Sequence, residues 1–247
     1  MAPPLVAVAH GSRDPRSAAA VMSLLAVVRA QRPGLDVRAA FLDLSAPRLP
    51  DVLAALHDEG HQNVVIVPLL LGSAFHARVD LPAMVSEAHA RLPRLSASVS
   101  DVLGPDDRLS DAALSRLVAT GASLEDRGLG IVLAGAGSSH APANAAVSAV
   151  AASWARRFRV AGVRAAFASS ASPDVPAAVA ALRARGARRI AVASWFLAPG
   201  RLPDRVAAVA GPDAVVAEPL GPAPEVASLV LDRYAEAATV TVGVRYA

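Results

Sequence analysis

The chain has 247 residues, 54% hydrophobic and 18% charged, enough apolar side chain for one large domain or two small ones and too much for a disordered chain. It contains no cysteine, which excludes disulfides, thiolate metal sites, iron–sulfur clusters and thiol catalysis. The pI of about 10.4 is no nucleic-acid signal: the net charge is +3, every basic residue is Arg, and almost nothing deprotonates between the His range and Arg.

The N-terminus Met1-Ala-Pro-Pro-Leu-Val has neither a basic n-region nor a long apolar stretch, so it does not read as a secretory signal. Leu5–Ala9 reads as a buried strand. Asp14-Pro15 then supplies an N-cap and a first-turn proline for a helix running to about Gln31, where Pro33-Gly34 stops it. Val37–Phe41 is a second strand. Arg48–Glu59 is a second helix, ended by Gly60. Asn63–Leu69 is a third strand inside the longest apolar run, Val64–Phe75, whose Pro68 and Gly72 break it well short of a membrane span. A helix over Arg78–Leu92, a strand over Leu95–Val99 and a helix over Asp106–Thr120 follow. Continuous apolar strands alternating with helices imply parallel strands covered on both faces, in a soluble cytoplasmic protein.

The second half repeats the first. Leu5-Val-Ala-Val-Ala-His10-Gly11-Ser12 aligns with Ile131-Val-Leu-Ala-Gly-Ala136-Gly137-Ser138 at an offset of 131 − 5 = 126. The offset holds for Ala39-Ala40-Phe41 against Ala165-Ala166-Phe167, for Pro47 against Pro173, and for Gly60 against Gly186. After a deletion, Leu103-Gly104-Pro105 aligns with Leu220-Gly221-Pro222 at an offset of 220 − 103 = 117. The expected organisation is a first lobe over 1–121 and a degenerate duplicate over 131–247. Each lobe is expected to be a parallel β-sheet flanked by helices, the two facing across a central cleft.

In a parallel α/β sheet the ligand site lies outside the carboxyl ends of the strands. His10 stands there after the first strand, followed by Gly11-Ser12-Arg13-Asp14. Asp43 follows the second strand. His76 lies beyond the third, in Gly72-Ser73-Ala74-Phe75-His76-Ala77-Arg78. Two imidazoles and a carboxylate thus converge on one edge, a set that suits a divalent transition metal with open positions. Asp43 could equally cap its own turn. His57, His61, His89 and His140 carry weaker signals: two flank a helix end, one lies within a helix, and His140 aligns with Asp14 rather than His10. In the second copy Ala136 stands opposite His10, Ser169 opposite Asp43, and ungapped extension puts Leu202 opposite His76, so one competent site is expected, in the first lobe. No Walker loop, dinucleotide fingerprint or nucleophile elbow is present, and Ala9 occupies the position where a phosphohistidine phosphatase would carry Arg.

At Val8-Ala-His10-Gly-Ser-Arg13-Asp14-Pro15, and over the longer stretch from Val67 through Gly72, His76, Arg78 and Asp80 to Pro82, the sequence resembles the sirohydrochlorin chelatases, the cobalto- and ferrochelatases of the class II chelatase superfamily. It looks like their long, two-domain form, in which a fused chain replaces a homodimer. The resemblance implies insertion of Co²⁺ or Fe²⁺ into sirohydrochlorin without ATP, the metal being substrate and no organic cofactor taking part. It implies a monomer with an internal pseudo-dimer, acting on a small tetrapyrrole and on neither nucleic acid nor membrane. It carries the metal-handling roles onto His10 and His76. The family's acidic helper is usually Glu, and Asp43 stands at the plausible position. Gly11, Ser12, Arg13, Gly72, Ser73 and Arg78 would bind the substrate, whose carboxylates call for Arg and backbone N–H groups; Arg16 lies close by. A non-catalytic tetrapyrrole or metal carrier on the same scaffold is the alternative, and a phosphate-handling hydrolase a weaker third.

Overall fold

The computed structural model describes residues 2–72 and 80–243 of the chain. His76, Ser73 and Arg78 lie outside the described residues.

The first half runs β1 (Leu5–Ala9), α1 (Pro15–Gln31), β2 (Val37–Phe41), α2 (Leu49–Asp58), β3 (Asn63–Pro68), α3 (Leu81–Arg91), β4 (Ser96–Val99) and α4 (Asp107–Ala119). The second runs β5 (Leu129–Gly135), α5 (Ala141–Arg157), β6 (Gly162–Phe167), α6 (Val175–Ala184), β7 (Arg189–Trp195), α7 (Arg201–Val209), β8 (Ala214–Val216) and α8 (Pro224–Gly243). The boundaries follow local chemistry. Asp14 caps α1 by accepting the Arg16 N–H, with Pro15 in the first turn, and Asp106 caps α4 by accepting the Arg108 N–H.

The strands form two parallel sheets of order β2-β1-β3-β4 and β6-β5-β7-β8. Period-two alternation divides each sheet's side chains between two cores. Val6, Val8, Ala40, Leu42, Val64 and Ile66 meet Leu49, Leu53 and Leu56 of α2 and Leu81 of α3. In the second sheet Val132, Ala134, Ala166, Ile190 and Val192 meet Val175, Ala178 and Leu182 of α6 and Val206 of α7. The α/β architecture expected from the sequence is the one observed.

The compact units do not follow the linear halves. One unit is residues 1–104 with 222–247; the other is 105–221. Helix α4, which the linear reading puts in the first lobe, packs against β7, and α8 packs against α1 and β3. The chain crosses over at the two Leu-Gly-Pro triplets that the repeat alignment matched. Arg233 of α8 donates to the Val102 and Leu103 carbonyls at 3.0 and 3.4 Å. Arg116 of α4 donates to the Leu220 carbonyl at 3.2 Å. The two arginines are themselves related by the same offset, 233 − 116 = 117. The exchange is therefore reciprocal, and no composition signal marks it: both helices are amphipathic, and either sheet would bury them. Val226, Leu229, Val230 and Tyr234 are buried in the first unit, where the Tyr234 hydroxyl donates to the Pro3 carbonyl at 2.8 Å.

Candidate functional site

Strands β1, β2 and β3 deliver His10, Asp43 and Gly72 to one edge of the first sheet, the edge of their carboxyl ends. Strand order makes it the natural site. The chain leaves β1 toward β2, then crosses back to β3, so the loops after β1 and β3 diverge at a topological switch point. The ladder continues past the strands: the Leu42 N–H donates to the Ala9 carbonyl at 3.0 Å and the Asp43 N–H to the His10 carbonyl at 2.9 Å. His10 and Asp43 are thereby fixed side by side at the backbone level.

Gly11 explains how the two loops come so close. Its φ is +94°, and a Cβ there would overlap the Asp43 carbonyl oxygen. Ser45 then locks the loops together, accepting from the Ser12 N–H at 3.0 Å and donating to the Ser12 carbonyl at 2.9 Å. The Ser12 hydroxyl accepts the Asp14 N–H at 3.0 Å, which leads into α1.

Asp43 is largely exposed. Its Oδ1 accepts from Arg48 at 2.6 Å and from the Leu44 N–H at 2.8 Å. The Arg48 guanidinium first, then the Leu44 N–H, then the nearby His10 imidazole hold this carboxyl below the usual carboxylate range, so it is ionised at neutral pH. His10 is half-buried, with Nδ1 3.1 Å from its neighbour's carbonyl, Gly11 O. An ionised carboxylate beside an imidazole is a donor set for a divalent ion.

The other expected residues fall out unevenly. Gly11 and Ser12 shape the site through backbone and hydroxyl, and Arg13 is exposed on the same loop. Arg16 is engaged by Asp14, at 2.5 Å between Nη2 and Oδ2. Gly72 sits on the edge, where a Cβ would meet nothing among the described residues within 4 Å. His76, Ser73 and Arg78 are placed only by their motif. Ser45 and Arg48 were not anticipated. Arg48 left a trace in the sequence, because the offset of 126 puts an acidic residue, Asp174, opposite it.

The duplicate keeps the scaffold. Gly137 has φ +83°, a Cβ there would overlap the Ser169 carbonyl, and the Ser169 N–H donates to the Ala136 carbonyl at 3.0 Å. The pairing of His76 with Leu202 is corrected. Helix α7 begins at Arg201 and α3 at Leu81, an offset of 120, so six residues are missing between Ala198 and α7 and Leu202 belongs to a helix. Elsewhere, among the described residues, Asp36, Glu59 and His61 gather at the opposite edge of the first sheet, but Arg38 already donates to both carboxylates.

Known proteins resemble the chain in the same places. The CbiX family model matches twice, over residues 4–120 and 130–237. A sirohydrochlorin ferrochelatase of Priestia megaterium is 30% identical over 135 residues, 53% of this chain and 49% of that protein, so the chain spans about half the length of such relatives. A sirohydrochlorin cobaltochelatase of Methanosarcina acetivorans is 26% identical over 46% of this chain and 92% of its own length. One copy here thus corresponds to nearly all of a short relative. The structure of SirB from Bacillus subtilis with Fe³⁺ has a TM-score of 0.81 at 23% identity, covering 98% of both chains, which establishes a common fold. With both of its copies matched by one model, the chain belongs to the CbiX family.

Proposed function

We propose that this chain inserts Co²⁺ or Fe²⁺ into sirohydrochlorin without ATP, the metal and the macrocycle both being substrates. The observation that carries this reading is the hydrogen bond from the Asp43 N–H to the His10 carbonyl, which sets a carboxylate and an imidazole together at the switch point of the first sheet. The names of the relatives, ferrochelatase and cobaltochelatase, support it. In this reading His10, His76 and Asp43 hold the ion. Three ligands bind it loosely enough to give it up, whereas a closed four-ligand cage would trap it. Insertion releases both pyrrole N–H protons; one passes to a neutral imidazole at the site and the other to water. Gly11, Ser12 and Arg13, with Gly72, Ser73 and Arg78, present N–H groups and cations to the macrocycle's carboxylates, helped by the positive N-terminus of α1. The protein works in the cytoplasm as a monomer whose two copies stand in for two subunits. Among the described residues, no helix is long and apolar enough to cross a membrane.

The test is to mix the protein at low concentration with excess metal-free sirohydrochlorin and Co²⁺ and follow the macrocycle's absorbance. Many turnovers per chain are expected. A plateau at one equivalent would instead make the protein a carrier.

A further inference from the structure

The turn that holds Asp43 contains an arginine where a helix start disfavours one. Arg48 is the N-cap of α2, with φ −77° and ψ 150°, and makes no capping hydrogen bond. Ser, Thr, Asp and Asn are preferred at an N-cap because their side chains accept the first free N–H groups, and a cation there opposes the helix dipole. The second copy shows what the position holds when nothing else constrains it. Asp174 caps α6, its Oδ1 accepting the Ala177 N–H at 2.9 Å. The surrounding backbone is the same in both: Phe41 bridges to Arg48 and Phe167 to Asp174, and the Phe41 and Phe167 N–H groups donate to the Pro47 and Pro173 carbonyls at 2.9 Å each. The first copy has given up a helix cap, and Arg48 bonds Asp43 instead. In the second copy Ser169 stands in place of Asp43 and donates its hydroxyl to the Ala136 carbonyl.

Only one oxygen of the carboxylate is occupied by these contacts. Among the described residues, the hydrogen bonds from Arg48 and the Leu44 N–H both reach Oδ1, which leaves Oδ2 for a ligand. A dication on Oδ2 would share its carboxylate with a guanidinium, and the two positive charges oppose each other. Resting on the reading of Asp43 as a metal ligand, we propose that Arg48 is a positioning residue acting through Asp43: it fixes the carboxylate by one oxygen and keeps the site's hold on the incoming divalent ion loose enough for transfer to the macrocycle.

The experiment compares Arg48→Ser, Arg48→Lys and Asp43→Asn with the parent chain. Co²⁺ affinity is measured without macrocycle, by competition with a chromophoric chelator, alongside kcat, KM for Co²⁺ and Tm. Arg48→Ser is expected to bind Co²⁺ about tenfold more tightly, with two like charges no longer sharing one carboxylate. Its kcat and its KM for Co²⁺ should both fall, while its Tm holds or rises because Ser is a better cap. Arg48→Lys keeps the charge and should stay within about twofold of the parent in affinity. Unchanged or weaker Co²⁺ binding by Arg48→Ser, where Asp43→Asn does weaken it, overturns the role of Arg48 and leaves Asp43 as a ligand. Tighter binding with unchanged kcat overturns the transfer role. An Asp43→Asn protein with parental affinity overturns the metal reading of Asp43, and the proposal with it.

Discussion

The turns Asp43–Arg48 and Ser169–Asp174 have the same backbone and opposite chemistry. Each follows the second strand of its sheet, each is approached by a glycine with positive φ, and each leads into a helix with proline in its first turn. The second turn is built for stability: a serine satisfies a carbonyl and an aspartate caps a helix. The first holds an ionised carboxylate against an arginine beside a histidine. The first turn thus lacks the helix cap that the second has, a placement that costs some stability and is expected where residues serve a purpose other than folding.

Removing residues 222–247 should separate the two units most sharply. The four large buried side chains of α8 (Val226, Leu229, Val230 and Tyr234) would be lost from the first unit. At about 1.5–3 kcal/mol each, that is roughly 6–12 kcal/mol, comparable to a domain's whole stability. The first sheet should then lose its cooperative fold and the second keep it. Both tryptophans, Trp154 and Trp195, lie in the second unit, so native tryptophan fluorescence should survive while much of the circular dichroism is lost. A truncated chain whose first sheet keeps full amide protection would contradict the helix exchange.

Next in size are Gly11→Ala and Gly137→Ala. Each places a Cβ on a carbonyl oxygen at positive φ, and each is expected to destabilise by about 1–3 kcal/mol in denaturant titrations. The pair should separate in function: Gly11→Ala moves Asp43 away from His10 and lowers insertion activity well beyond its stability cost, whereas Gly137→Ala leaves the rate per folded molecule unchanged. Equal activity losses would mean the second turn takes part in chemistry.

The smallest effect is on acid stability. Asp14, Asp43 and Glu59 of the first unit are held below the usual carboxylate range by Arg16, Arg48 and Arg38 respectively; in the second unit Asp126 is held down by the Gly128 N–H and by Arg189. A carboxyl whose folded pKa is depressed contributes stability that is present above its unfolded pKa and is lost as pH falls toward the folded value. With three such groups against one, the first unit should loosen slightly before the second once pH drops below about 4. Asp43 and Glu59 are exposed and Asp14 and Asp126 keep partial contact with solvent, so screening should keep the separation small. Dichroism should begin to change before tryptophan fluorescence does, and the reverse order would refute the assignment.

Much of this was legible in the chain itself. The strands, the helix caps and the duplication follow from apolar runs, from Asp14-Pro15 and from glycines and prolines recurring at fixed offsets. The edge carrying His10 and Asp43 follows from parallel topology alone. The helix exchange was not legible, because α4 and α8 present similar apolar faces and the sequence does not say which sheet covers them. Arg48 was missed because a lone arginine at a helix start reads as surface charge. Only the comparison with Asp174, and the geometry that brings Arg48 to Asp43, distinguishes it.

Chemistry is expected at the carboxyl edge of the first sheet alone. The most direct test is steady-state insertion of Co²⁺ into sirohydrochlorin by His10→Ala and His140→Ala, each confirmed folded by circular dichroism. His10→Ala should lose at least about a hundredfold in kcat, the usual scale for a residue that handles protons in the reaction. His140→Ala, at the N-cap of α5 on the matching loop of the duplicate, should stay within about twofold, since its side chain makes no capping hydrogen bond to lose. Near-parental turnover by His10→Ala, or a tenfold or larger loss in His140→Ala, would contradict the claim.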